Sequence, residues 1–345
     1  MKKDVRSLSL EELTTFFEHN NFPPYRARQV YDWLWKKSCF SFESMTNLSK
    51  NVKELLDKEF VINHIKIDKI QKSIDGTIKN AVKLYDNFTV ESVLIPIENR
   101  TTACVSSQVG CSLDCEFCAT SKLKRIRNLN ADEIFDQVST INNQSIQYYN
   151  RPISNIVFMG MGEPLLNYKN LISGIKKITS KDGLGISPKR ITVSTSGIPK
   201  MIERLADEPI KINLALSLHS AVEKTRKKIM PFSKRFTLSE ILDSIIYWYR
   251  KTKRVVTYEY IIWKGINDDH EHIKSLVSFC KKSPSKVNII HYNETGNEFF
   301  QPADSNKVDQ YVKELKINRI AVTVRKSRGN DIDAACGQLA NKITN

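Results

Sequence analysis

The chain has 345 residues, 41% of them hydrophobic, with ordinary levels of Gly and Pro, enough for a sizeable core and for one large domain plus a small one. No apolar run reaches bilayer length, Met1-Lys2-Lys3-Asp4 leads into an amphipathic stretch rather than a secretory signal, and seven cysteines are too few and too unevenly placed for a disulfide framework, so a cytoplasmic protein is expected. A net charge of +15 points to a polyanionic partner, unless it only reflects a lysine-rich composition.

Residues 1–65 read as a small helical accessory domain. One helix starts at Leu10 and carries Leu13, Phe16 and Phe17. A second runs from Arg26 to Lys37 with Val30, Trp33, Leu34 and Trp35. Pro23-Pro24 separates them, and a third covers Lys50 to Glu59. Arg26, Arg28, Lys36 and Lys37 give it a basic surface for RNA, or it is simply a packing cap. Residues 66–100 alternate as a β-hairpin extension, Thr77–Tyr85 and Phe88–Pro96 about a turn at Asp86-Asn87.

From 101 to 345 short apolar runs alternate with amphipathic helices. Strands are expected at Ala103–Ser107, Asn155–Met159, Arg190–Thr195, Ile212–Leu218, Val256–Ile262, Val287–Tyr292 and Ile320–Val324. Helices are expected at Ala131–Thr140, Tyr168–Ile178, Leu238–Arg250, His270–Lys281 and Lys307–Leu315, with Thr237 and Glu240 as a capping box. That rhythm predicts an α/β fold of parallel βαβ units, a barrel or partial barrel with its chemistry at the C-terminal strand ends.

Cys111-Ser-Leu-Asp-Cys115-Glu-Phe-Cys118 sits at the first such end. A structural zinc ion takes four ligands and an electron-carrying [4Fe–4S] cluster four cysteines. Three thiols with no local fourth ligand suggest a cluster with one iron left open for a substrate or cofactor. The alternative is a zinc site completed by a distant residue such as His219. Other strand ends carry Gly160-Met-Gly162-Glu163-Pro164, Ser194-Thr195-Ser196-Gly197, Ser217-Leu218-His219-Ser220 and Asn293, a lining suited to a polar cofactor. Cys336 follows the basic run Arg325-Lys326-Ser-Arg328, and cations favour a reactive thiolate. Cys104 precedes the cysteine loop by seven residues; taken singly, each of the two thiols reads first as a small buried residue. The basic stretches Lys122–Arg127, Arg226–Lys228 with Lys234-Arg235, and Arg325–Arg328 suggest a phosphate-binding rim.

The spacing Cys111-x3-Cys115-x2-Cys118 resembles the radical S-adenosylmethionine (SAM) signature. With Cys104-Val-Ser-Ser-Gln-Val-Gly-Cys111, Phe158-Met-Gly-Met-Gly-Glu-Pro164 and Asp333-Ala-Ala-Cys-Gly-Gln-Leu339, the chain resembles the adenine-methylating radical SAM RNA methyltransferases, the RlmN/Cfr family, over nearly its whole length. The resemblance implies a partial (βα)6 barrel with the N-terminal domain binding RNA. It implies a [4Fe–4S] cluster on Cys111, Cys115 and Cys118, and SAM held by Gly162, Glu163, Ser194, Ser217, Leu218, His219 and Asn293. Two SAM are used per turnover. Cys336 takes the first methyl group, Glu91 accepts the ring proton, and Cys104 resolves a protein–RNA adduct, leaving a disulfide for an external electron donor to reduce. The implied targets are C2 of an adenine in 23S rRNA near the peptidyl-transferase centre and of the adenine 3′ of the anticodon in some tRNAs. A resistance-type relative methylates C8 of the rRNA adenine instead. It tends to have Ala after the glutamate, whereas Gly162-Glu163-Pro164 and Arg328–Asp333 look like the housekeeping type. The stretch Ser121–Arg127 is more basic than the family pattern. A non-catalytic, zinc-stabilised RNA-binding protein is the reading from another class. Nothing in the sequence requires more than a monomer.

Overall fold

The computed structural model describes residues 2–341. At the N-terminus, Ser9 and Glu12 form a reciprocal capping box that starts α1 (Leu10–His19), and Leu13 and Phe17 on its inner face are buried. The helix expected over 26–37 is shorter. α2 (Tyr25–Tyr31) runs into a widened π turn, Asp32–Lys36, where Lys37 N–H reaches back to the Asp32 carbonyl. The wider turn lets the adjacent Leu34 and Trp35 both bury. After α3 (Lys50–Glu59), β1 (Lys3–Asp4) pairs in parallel with β2 (Phe60–Val61) and draws the two ends of the module together.

The next strands are β3 (Lys66–Lys72), β4 (Ile78–Lys83), β5 (Thr89–Ile97) and β6 (Arg100–Cys104), each antiparallel to the one before. The expected hairpin is β4–β5, with Asn87 in the left-handed conformation its turn requires. β3 adds a third strand at the sheet edge, where its outward face carries Lys66, Asp68 and Lys72. A short pair, β7 (Gln108–Val109) with β8 (Arg127–Asn128), flanks the cysteine loop.

β6 is also the first of seven parallel strands. The others are β9 (Asn155–Phe158), β10 (Ile191–Thr195), β11 (Asn213–Ser217), β12 (Val256–Ile261), β13 (Ser285–Ile290) and β14 (Ala321–Arg325), and they lie side by side in chain order. Six helical crossovers connect them: α4 (Ala131–Tyr149), α5 (Tyr168–Thr179), α6 (Pro199–Asp207), α7 (Glu223–Ile229) with α8 (Leu238–Thr252), α9 (His270–Lys281) and α10 (Ser305–Ile317). These are six βα units and a closing strand. β14 pairs only with β13 among the described residues, so the barrel is partial. α4 extends nine residues beyond the expected Thr140, to Tyr149. The polar stretch Ile141–Tyr149 is a weak helix former, but tertiary contacts override propensity. Gln144 and Asn80 exchange two side-chain hydrogen bonds in the interior, at 2.9 and 2.7 Å.

The N-terminal helices rest on α4. Arg6, almost fully buried, donates to both carboxylate oxygens of Asp136 at 2.8 Å and to Asp132 at 3.0 Å. Trp35 meets Phe135 edge-on at 5.2 Å. No helix among the described residues is long and apolar enough to cross a membrane.

Candidate active site

The cysteine loop leaves the sheet after β6 and folds over the C-terminal mouth of the barrel. Ser121 Oγ donates to the carbonyls of both Cys115 and Cys118 at 2.7 Å, and Cys111 N–H donates to Leu123. Leu113 and Phe117 anchor the loop in an apolar cluster with Trp263, Phe300 and Met230. Cys115 is buried, and Cys111 and Cys118 are half-buried. Burial pushes all three thiols up, Cys111 to about 12, and their mutual proximity adds to it. Such a set holds thiolates only beside concentrated positive charge, which iron supplies. Among the described residues no group of three or more His, Cys, Asp or Glu is placed to hold one ion, whereas a cluster takes each thiol on a different iron.

One cavity is lined by the three cysteines, Gly162, Glu163, Ser194, Ser217, His219, Asn293 and Cys336. The structure thus brings together most of the expected set, from the ends of six different strands. Glu163 is buried, its oxygens accepting from Leu165 N–H at 3.1 Å and Ser196 N–H at 2.8 Å, so it orders two strand ends. Gly162 adopts φ +94, and a Cβ there would stand 2.5 Å from the Gln108 side chain; the glycine is required by this close packing. Asn293 donates to the Cys336 carbonyl at 3.1 Å, while its buried Oδ1 has no hydrogen-bond partner among the described residues. Asn293 lines the cavity, and an unpaired acceptor in that wall fits a polar cofactor such as SAM.

Leu218 does not line this cavity. It is fully buried in the main core, so only its backbone faces the strand-end layer. His219 has φ +53, and its Nδ1 accepts from Ile261 N–H at 3.2 Å. Burial, then Arg226, push its pKa down to about 3. The neutral ring carries its proton on Nε2, leaving no lone pair for zinc. The expected basic rim is partly a structural feature instead. Arg226 is 1% exposed and donates to the carbonyls of Ser196, Ser217 and Leu218. Arg127 is engaged by Asp86 and by both oxygens of Glu133.

A second cavity occupies the barrel lumen beneath the first. Cys104 lines only the lumen, and Cys336 lines both cavities. Cys104 is buried, and burial with the nearby Cys336 pushes its thiol up to about 12. Arg325 stands in the lumen close enough to Cys336 that their attraction raises the guanidinium pKa. Sequence reading missed Glu259, which lies in the wall common to both cavities. Its signal is a carboxylate inside the otherwise uncharged run Val256-Thr-Tyr-Glu-Tyr-Ile261.

Two carboxylates cross-link the Cys336 loop to the β3–β4 turn. Asp331 accepts from Ser73 Oγ at 2.6 Å and Ile74 N–H at 3.1 Å; Asp75 accepts from Gly329 N–H at 3.0 Å. Beyond Cys336, Ala119 N–H donates to the Gly337 carbonyl at 2.7 Å, tying the segment to the cysteine loop. Glu91 lines neither cavity. It is fully buried, its Oε1 lies 3.4 Å from Lys79 Nζ, and its Oε2 accepts from Ala340 and Asn341 N–H at 2.8 and 3.1 Å.

Residues 105–277 match the radical SAM superfamily model, and residues 3–62 match the ribosomal RNA large subunit methyltransferase N-terminal domain. The chain is 59% identical, over 99% of its length and 98% of the relative's, to a probable dual-specificity RNA methyltransferase RlmN of Flavobacterium johnsoniae. It is 40% identical, over 99% and 98%, to the dual-specificity RNA methyltransferase RlmN of Geotalea uraniireducens. The crystal structure of a radical SAM methyltransferase from Sphaerobacter thermophilus superimposes with a TM-score of 0.92 at 34% identity, covering 98% of this chain and 99% of that one. A cysteine triad over a partial barrel, with matches spanning nearly its whole length, places this chain in the RlmN family of radical SAM RNA methyltransferases.

Proposed function

We propose that the protein methylates C2 of an adenine in 23S rRNA and of the adenine 3′ of the anticodon in some tRNAs. The observation that carries this reading is the position of Cys336, in the wall between the cavity holding the cysteine triad and the lumen holding Cys104. Cys111, Cys115 and Cys118 would hold a [4Fe–4S] cluster, and Gly162, Glu163, Ser194, Ser217 to His219 and Asn293 would hold SAM, Leu218 through its backbone. When bound, these groups supply the one-electron chemistry that an unreactive ring carbon needs.

The protein's own side chains do the rest. Cys336 takes a methyl group from SAM by displacement, its sulfur attacking as the nucleophile and giving up the S–H proton. The sulfur of Cys336 then carries the base into the lumen. Glu91 accepts the ring proton, which requires segment 338–341 to lift from its carboxylate. Cys104 attacks the Cys336 sulfur, expelling the methylated base and leaving a disulfide that an external donor reduces. Each turnover consumes two SAM. The base must leave any stack to reach the lumen, which unpaired RNA allows at lower cost. Residues 1–65 serve as the RNA-binding domain, 66–100 as the extension and 101–345 as the barrel, in a cytoplasmic monomer. Pro164 after Glu163 supports C2 rather than C8 as the target.

The test is anaerobic turnover of reconstituted protein on unmodified rRNA fragment and tRNA, followed by nucleoside mass spectrometry. 2-Methyladenosine in both is expected; 8-methyladenosine would assign the other position. A Cys104→Ala variant is expected to accumulate RNA covalently bound at Cys336, and its absence would remove the resolving role from Cys104.

A further inference from the structure

Glu259 is the fourth residue of β12, and its side chain stands with Met159, Ile290 and Cys336 in the wall shared by the two cavities. It is 4% exposed. Oε1 accepts from Asn288 Nδ2 at 3.1 Å, while Oε2 is buried and has no hydrogen-bond partner among the described residues. Burial pushes this carboxyl up, and Arg325, Asn288 and Lys286 act in the opposite direction without reaching Oε2. An acceptor buried without a donor is costly, and in a cavity it marks where a ligand's N–H belongs.

Resting on the reaction proposed above, the base must lie against Cys336 in the lumen, which both thiols line. We propose that Glu259 selects the target base, its Oε2 accepting a hydrogen bond from the exocyclic amino group of adenine. Adenine presents a donor on that edge, whereas guanine presents an oxygen. Guanine would set two acceptors against each other with no water to separate them, which a buried site rejects strongly. Uracil also presents an oxygen, and cytosine, though it has an amino group, carries a carbonyl oxygen on the ring carbon that matches adenine C2, so that carbon has no hydrogen to replace. Asn288 fixes the carboxylate plane by holding Oε1, so Oε2 points to one place.

The test combines Glu259→Gln with RNA fragments carrying adenine or unsubstituted purine at the target position. Cluster absorbance, methyl occupancy of Cys336 and methyl transfer to RNA are measured on the same reconstituted protein. The wild type is expected to lose about 100-fold in kcat/KM when the amino group is absent. Glu259→Gln is expected to lose about as much on adenine, and little more on purine, because the same interaction is already gone. Its cluster and its Cys336 methylation, which need no RNA, should be unchanged. Equal wild-type rates on adenine and purine would overturn the proposal without needing any variant. Loss of Cys336 methylation in Glu259→Gln would also overturn it, by assigning the carboxylate to SAM. A wild-type protein carrying no methyl group on Cys336 would instead overturn the underlying reaction, and the proposal with it.

Discussion

In sequence Arg226 belongs to a cationic run, yet in the fold its guanidinium is enclosed and bridges three carbonyls at the ends of β10 and β11. These two strand ends carry Ser194 and Ser217, so the guanidinium holds a corner of the cofactor cavity in shape. Arg226→Met would remove a charged donor from all three carbonyls, of which Leu218's keeps Ser220 N–H, and is expected to cost about 3 kcal/mol in urea unfolding of the holoprotein. Arg226→Lys should recover only part of this, because an ammonium group cannot replace the planar fork. A loss below about 0.5 kcal/mol, the range of ordinary surface substitutions, would return Arg226 to the surface role its sequence suggests.

The clasp between the β3–β4 turn and the Cys336 loop acts between elements. Burial pushes the Asp75 carboxyl up, but N–H and O–H donors from Thr77, Gly329 and Ser73 hold it below the usual range. Gly329 completes the joint. It has φ +70, and a Cβ there would come within 2.9 Å of Thr77 and 2.8 Å of Ala334. Asp75→Ala should free the loop, seen as several-fold faster alkylation of Cys336 by iodoacetamide with cluster content unchanged; an unchanged rate would show that the loop is held elsewhere. None of this was legible in the sequence, because the partners lie more than 250 positions apart. By contrast the cysteine triad, the strand-end glycine and serines, and the β4–β5 hairpin depend on local spacing and could be read directly. Glu91 stands between these cases, since its identity was legible and its surroundings under segment 338–341 were not. α6 was missed because its apolar face, Ile202, Leu205 and Ala206, is only nine residues long overall and opens at a proline.

At the scale of the whole molecule, the N-terminal helices and the barrel are joined through Arg6. Asp136 is as deeply buried as Arg6 and would be left without its partner in Arg6→Met. Breaking a buried pair from one side costs about 3–5 kcal/mol, so the helices should melt ahead of the barrel, as an added early transition in calorimetry. A single transition with unchanged midpoint would mean that the Trp35–Phe135 contact alone secures the module. The sheet offers a different consequence. Because the barrel never closes, the ten-stranded sheet that includes it ends, among the described residues, in free edges at β3 and β14, and an unprotected edge invites a second chain to pair with it. β3 meets this hazard with charged residues, Lys66, Asp68 and Lys72, around the exposed Ile70 on its outward face and with a register shift between Ile67 and Lys69. Charge that reads as attraction to a polyanion therefore also acts between copies of the protein, keeping one sheet from hydrogen-bonding to the next.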